Sequence, residues 1–244
     1  MQNAYYEPGE KRAERVGDLF ATIAPRYDLI NDLQSFGLHR LWKRRLLGLA
    51  APAPGRLALD LCCGTGDVAL GLAARGCRTV GLDFSEPMLT VARGRLARLQ
   101  AGAPSSPPDL RWQQGDATAL PFPDASFDIV TVSYGLRNLT DWGKGLSEMW
   151  RVARPGGRLL VLDFGKPDNA IWRAGYYAYL RTLVPLFGRL FCGDSQTHAY
   201  IYTSLLHYPA QHGVAARMQE LGCRAIGIVP LLGGVMTLNH GIKE

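Results

Sequence analysis

Apolar positions along the chain fall into two rhythms. Between residues 12 and 50, Val16, Leu19, Phe20 and Ile23, then Leu41, Leu46, Leu47 and Leu49, recur at the three-to-four-residue spacing of one helical face. Ala51-Pro52-Ala53-Pro54-Gly55 breaks that pattern. Short apolar runs then alternate with helical segments. Strands are expected at 56–61, 77–83, 110–116, 127–134 and 158–164, with helices at 67–75, from Ser85 to residue 100, and at 143–153. Ser85 reads as an N-cap with Pro87 in the first turn, where a missing N–H costs little. Residues 101–108 read as a loop, and Pro155-Gly156-Gly157 as the close of the 143–153 helix. After residue 168 the order changes. Three helical stretches, 169–192, 196–207 and 209–221, precede strands near 224–230 and 234–242, joined by Gly233-Gly234.

Strands alternating with helices specify an α/β fold, a mostly parallel sheet covered on both faces. The terminal hairpin adds an antiparallel strand.

Composition narrows the class without adding a function. The 244 residues are 47% hydrophobic and 20% charged, which excludes disorder and coiled coil and leaves an ordinary globular domain. The net charge is +6, and the bases are scattered apart from Arg40, Lys43, Arg44 and Arg45. A scattered excess reads as a solvated surface, so no nucleic-acid partner is expected. Five cysteines, with no CxxC spacing, form neither a disulfide framework nor a zinc site. No metal is therefore expected. Free cysteines fit a reducing compartment, and the first twenty residues lack the apolar core of a signal peptide, so the expected location is cytoplasmic. In residues 170–192 the longest charge-free run is seven residues, far below the roughly 20 needed to span a bilayer.

Candidate chemistry collects at the strand ends. Asp60-Leu61-Cys62-Cys63-Gly64-Thr65-Gly66-Asp67 follows an apolar strand and opens a helix. Glycines there let the backbone pass close to a ligand, and the helix start offers free N–H groups. The third glycine of the pyrophosphate-binding fingerprint is missing, which disfavours a dinucleotide. Asp83 ends the next strand, 17 residues after Gly66, where a carboxylate accepts both hydroxyls of a ribose. Asp116 ends the third strand, where it can accept from an adenine amino group; the alternative is a turn residue. Such strand ends in a parallel sheet border a ligand cleft.

Asp60–Gly66, Gly81–Ser85 and Gly115–Asp128 together resemble the class I S-adenosylmethionine-dependent methyltransferases, with their Rossmann-like, mostly parallel seven-stranded sheet. More narrowly, the chain resembles the ubiquinone/menaquinone biosynthesis C-methyltransferases. That resemblance rests on VGDLFATIAPRYDLINDLQSFGLHRLWKR (16–44), SYGLRNLTD (133–141), LDFGKP (162–167), AYIYTSLLHYP (199–209) and GGVMTLNHG (233–241). One departure is Tyr134, where members often carry Phe.

The resemblance implies S-adenosylmethionine held by Gly64, Thr65, Gly66, Asp83, Asp116, Ala117 and Ser133. Thr65 is expected at the methionine portion, Asp83 at the ribose, Asp116 and Ala117 at the adenine, and Ser133 beside the sulfonium. It implies methyl transfer to a carbon of a polyprenylated quinol, demethylmenaquinol foremost and the ubiquinone-pathway benzoquinol as alternative. Arg137 and Asn138 are the expected catalytic pair at the cleft mouth. Arg137 would favour the quinol phenolate; its alternative is an ion pair with a carboxylate such as Asp141. Tyr27, Tyr200 and His207 are further candidates for moving the hydroxyl proton, and His39 is expected to support the lid.

A single domain is expected: a helical lid (1–50), a cofactor-binding core (51–168), substrate-side helices (169–222) and the hairpin (223–244). Trp172, Tyr176, Tyr177, Tyr179, Leu183, Leu186 and Phe187 suggest an apolar channel for the isoprenoid tail, and with it peripheral association with the inner face of the membrane. A homodimer is a further expectation. The rivals are an S-adenosylmethionine-sensing module, a nucleic-acid methyltransferase, disfavoured because no Asn/Asp-Pro-Pro-aromatic motif follows strand four, and a nicotinamide-dependent dehydrogenase.

Overall fold

The structure is a computed structural model that describes residues 24, 27–102, 108–192 and 196–244, with backbone alone at 30, 186–192 and 196–200. The elements are α1 (Tyr27–Ser35), α2 (Leu38–Ala50), β1 (Leu57–Leu61), α3 (Asp67–Ala73), β2 (Arg78–Asp83), α4 (Glu86–Gly102), β3 (Leu110–Gln114), β4 (Phe127–Ser133), α5 (Trp142–Val152), β5 (Ala153–Phe164), α6 (Ala170–Cys192), α7 (Gln196–His207), α8 (Ala210–Glu220), β6 (Cys223–Leu231) and β7 (Met236–Lys243).

The strands form one sheet in the order β3-β2-β1-β4-β5-β7-β6. The first five pair in parallel, and β7 pairs antiparallel with both β5 and β6. Alternation along each strand feeds two cores, because successive side chains leave opposite faces. Leu59, Val130, Leu159 and Val161 join Leu146, Met149, Val214 and Met218 on one face. Ala58, Ile129, Leu160 and Leu162 join Leu46, Leu47, Val68 and Leu72 on the other. Leu47 packs over Gly71, seating α2 on α3.

Several boundaries differ from the sequence pattern. The 12–50 helix divides at Phe36 and Gly37, both left-handed, and its part before residue 24 lies outside the described residues. Pro155-Gly156-Gly157 does not close α5. The chain is already extended from Ala153, and the irregularity sits inside β5, beside a register shift between Phe127 and Ile129. Ser85 heads α4, but its buried hydroxyl has no hydrogen-bond partner among the described residues, and its carbonyl accepts from Leu89 N–H. The α6 aromatics divide. Tyr176, Leu180 and Val184, at helical spacing, are core, whereas Trp172 is about half exposed and donates its indole N–H to Leu232 O. Tyr176 therefore packs the interior instead of lining a channel; the side chains of Leu186 and Phe187 lie outside the described residues.

Candidate functional site

A parallel sheet brings the carboxyl ends of β1, β2, β3 and β4 to one edge, and there they frame an open cleft. Its walls close because two loops approach tightly. Gly135 faces Cys62 so closely that a Cβ would strike the Cys62 side chain. Cys62 (φ 51°) and Tyr134 (φ 60°), at the ends of β1 and β4, both hold left-handed backbone, a conformation that costs a non-glycine residue of order 1–3 kcal/mol and clusters at functional sites.

Asp83 is the best-held polar group of the cleft. Its Oδ2 accepts from Gly64 N–H at 2.8 Å and its Oδ1 from Ser85 N–H at 2.9 Å. Burial pushes its pKa above the usual carboxylate range, while those backbone N–H groups favour the ionised form. Both carboxylate oxygens are thereby fixed, each with lone-pair capacity left for a ligand. Asp116 lines the same cleft. Its Oδ1 accepts from Thr118 N–H and its Oδ2 from the Thr118 hydroxyl, both at 2.8 Å. Ala117 lies beside it, and Phe84 and Met88 add apolar wall, Phe84 being half exposed at the rim.

Gly64, Asp83, Asp116, Ala117, Ser133 and Asn138 all line the cleft, as does Tyr27, which reaches over Gly64 from the start of α1. Burial pushes the Tyr27 phenol up to about 12. The Ser133 hydroxyl is buried with no partner among the described residues, a donor and acceptor held in reserve at the cleft.

Three expected residues do not line it. Thr65 is buried with its hydroxyl turned to Asp28 Oδ1 at 2.8 Å, and its side chain is not part of the cleft lining. Gly66 packs against the Trp112 indole with φ 90°, a place only glycine fills. Arg137 is 7% exposed, with its guanidinium against Asp163 (3.3 Å), Ser204 Oγ (3.2 Å) and the Phe164 ring (4.6 Å to the centroid). It pairs with Asp163 and not with Asp141, which instead caps α5 by accepting from Lys144 N–H. The missing signal was orientation: the short 3-10 turn Leu136–Asn138 sends Asn138 to the cleft and Arg137 behind it. Arg137 donates to Asn138 Oδ1, and Asn138 Nδ2 donates to Tyr134 O at 3.1 Å, so the Asn138 carboxamide is locked.

Of the other proton-moving candidates, His207 is exposed at the end of α7 and bonded to Thr203 O. The side chain of Tyr200 lies outside the described residues. His39 joins α2 to α1 through Asp32 at 2.8 Å. Among the described residues no cluster of three His, Cys, Asp or Glu is arranged for a metal ion.

Burial pushes the Cys62 thiol well up, and the carboxylates of Asp83, Asp60, Asp163 and Asp116 act in the same direction. The anion position at the head of α3 is meanwhile filled by the protein. Asp67 opens that helix and is paired with Lys43 at 2.7 Å and Arg95 at 2.5 Å. A phosphate has no vacancy there.

Residues 9–243 match the ubiE/COQ5 methyltransferase family. The chain is 38% identical over 243 residues to a ubiquinone/menaquinone biosynthesis C-methyltransferase of Stutzerimonas stutzeri, covering 97% of this chain and 91% of that one. It is 39% identical over 241 residues to the Escherichia coli protein of the same name, covering 96% and 92%. A solved SAM-dependent methyltransferase from Aquifex aeolicus shares the fold at TM-score 0.60 and 16% identity, over 89% of this chain and 98% of that one.

Proposed function

Because the chain belongs to the ubiE/COQ5 methyltransferase family, S-adenosylmethionine-dependent C-methyltransferases of ubiquinone and menaquinone biosynthesis, we propose that its own reaction converts demethylmenaquinol to menaquinol. The alternative acceptor is the 2-polyprenyl-6-methoxy-1,4-benzoquinol of the ubiquinone pathway. The observation that carries the cofactor assignment is the Asp83 carboxylate, fixed at the cleft by Gly64 N–H and Ser85 N–H, beside an α3 start already occupied by Asp67. It suits a nucleoside ligand and leaves no anion position for a pyrophosphate.

When bound, S-adenosylmethionine supplies an electrophilic methyl group on a positively charged sulfur. Asp83 accepts the ribose hydroxyls, held in place by Gly64 and Ser85. Asp116 accepts from the adenine amino group, and Ala117, Phe84 and Met88 flank the ring. Ser133 offers its unpartnered hydroxyl at the reacting end. The acceptor carbon must be electron-rich, so the ring reacts as quinol, most readily as its phenolate. Asn138 and Tyr27, both lining the cleft, are assigned to the ring hydroxyl. Arg137 acts through Asn138: its bond to the carboxamide oxygen leaves the orientation of Asn138 fixed. Alignment of methyl and carbon in line supplies the main acceleration.

A polyprenyl tail lives in a bilayer, and among the described residues no helix is long and apolar enough to cross one. We assign the chain's contact with the bilayer to peripheral docking. Leu29 and Leu33 along α1, and Phe36 just past its end, are 58%, 44% and 78% exposed. Arg40, Leu41, Arg44 and Arg45, also exposed, follow directly on α2. An apolar stripe bordered by arginines fits an anionic lipid surface.

Purified protein with labelled S-adenosylmethionine and chemically reduced demethylmenaquinone should yield labelled menaquinone, and the oxidised quinone should not. Turnover of the benzoquinol alone would move the assignment to the alternative; equal rates with and without reductant would overturn the quinol mechanism.

A further inference from the structure

Arg95 lies nine residues into α4, outside the cleft, yet its guanidinium gathers three separate parts of the chain. Nη1 donates to Asp28 Oδ2 (3.2 Å), Thr65 O (3.0 Å) and Thr65 Oγ1 (3.1 Å), and Nη2 donates to Asp67 Oδ1 (2.5 Å). Asp67 Oδ2 accepts from Lys43 Nζ of α2 at 2.7 Å, and Thr65 Oγ1 donates to Asp28 Oδ1 at 2.8 Å. The network therefore ties α1 through Asp28 and α2 through Lys43 to the glycine loop and to the head of α3.

Tyr27 and Asp28 are neighbours in the first turn of α1. Tyr27 lines the cleft over Gly64, while Asp28 meets Thr65 and Arg95 outside it. Whatever fixes Asp28 thus fixes how Tyr27 covers the cofactor loop. An exposed ion pair is ordinarily worth little. Here the acids are 40% and 24% exposed, the arginine 30%, and one planar fork spans both acids and a backbone carbonyl. A lysine presents a single compact charge and cannot reproduce that fork.

We propose that Arg95 is a positioning residue that latches the α1–α2 lid onto the glycine loop, so that the Tyr27 cover and the cofactor cleft form together. This rests on the reading of the cleft as the S-adenosylmethionine site. It assigns Thr65 a role in the latch in place of a ligand contact, and accounts for the carboxylate at the head of α3.

The test measures amide hydrogen exchange of the ligand-free protein and calorimetric binding of S-adenosylhomocysteine. In Arg95→Gln, exchange across 27–35 should quicken at least about tenfold while β1 and β4 stay protected, and S-adenosylhomocysteine should bind about tenfold more weakly. Arg95→Lys should reproduce both losses with an unchanged melting temperature, and it replaces Arg95→Gln should that variant fail to fold. Asp28→Asn should match Arg95→Gln, and the double variant should be no worse than either, since the two residues act as one unit. Raised ionic strength should weaken binding in the native protein and leave Arg95→Gln unaffected. Unchanged exchange in 27–35, unchanged affinity, full rescue by lysine or additive effects would each overturn the latch. Failure of the native protein to bind S-adenosylhomocysteine would instead overturn the cofactor reading, because the exchange measurement needs no ligand.

Discussion

Arg137 and Asp163 form a buried ion pair directly behind the cleft, with Nε 3.3 Å from Oδ1 and side chains 6% and 2% exposed. Asp163 also accepts the Arg137 backbone N–H at 3.1 Å, so β5 clamps both ends of this residue. Burial pushes the Asp163 carboxyl up, and the Arg137 charge draws it down. Removing one partner from such a pair strands the other, at a cost of about 3–5 kcal/mol.

Arg137→Ala should therefore lose stability as well as turnover. The melting temperature should fall by roughly 6–20 °C, at 2–4 °C per kcal/mol for a chain of this size. Replacing both charges, Arg137→Met with Asp163→Asn, whose amide oxygen still accepts the buried Arg137 N–H, should recover much of the stability but not kcat, because Asn138 stays unlocked. Scanning calorimetry beside steady-state kinetics separates these effects. A stable, fully active Arg137→Ala would remove the residue from both roles.

Asp83→Ala should weaken S-adenosylhomocysteine binding. A hydrogen bond to a charged group is worth about 1.5–3 kcal/mol, or roughly 10- to 150-fold in Kd. Because burial raises the Asp83 pKa, affinity in the native protein should decline toward acid pH as the carboxylate takes up its proton, and that decline should vanish in the variant. Titration calorimetry at several pH values is the check; unchanged affinity excludes Asp83 from the site.

Asp60 carries a distinct pH signature. It is 1% exposed, accepts from Thr131 Oγ1 (2.7 Å) and Ala69 N–H (3.1 Å), and burial raises its pKa to about 7. The folded state binds this proton more tightly than the unfolded one, whose carboxyl titrates near pH 4. Stability from Asp60 is therefore present at low pH and lost as pH rises from about 4 to 7. Asp60→Asn keeps a neutral group that accepts from Ala69 and donates to Thr131. Its stability relative to the native chain should grow between pH 5 and 8, as read by denaturant midpoints. A pH-independent difference would contradict the assignment.

Leu33→Ser with Phe36→Ser should reduce co-sedimentation with anionic vesicles severalfold and leave S-adenosylhomocysteine affinity intact, since neither residue lines the cleft. Vesicles of neutral lipid should retain less protein than anionic ones, because Arg40, Arg44 and Arg45 border the stripe. Equal retention of native and variant protein would discard this face.

Much of this protein is local in origin, and that part is legible in the sequence. Alternating apolar runs give β1 to β5, and a parallel sheet places their carboxyl ends together. Gly64, Asp83 and Asp116 could therefore be assigned to one cleft from strand-end positions, whereas Ala117, Ser133 and Asn138 are implied by the family resemblance. What spacing cannot carry is direction and distant pairing. Thr65 and Arg137 sit in the expected loops, but left-handed and 3-10 turns rotate their side chains away from the ligand edge. Arg137 finds Asp163 26 residues away, and Arg95 finds Asp28 67 residues away. The pattern predicts a terminal hairpin, yet only the sheet decides that β7 enters between β5 and β6. Periodicity is set by each residue's neighbours in the chain. Which charge meets which, and which face a turn presents, is set by packing between elements that the chain holds far apart.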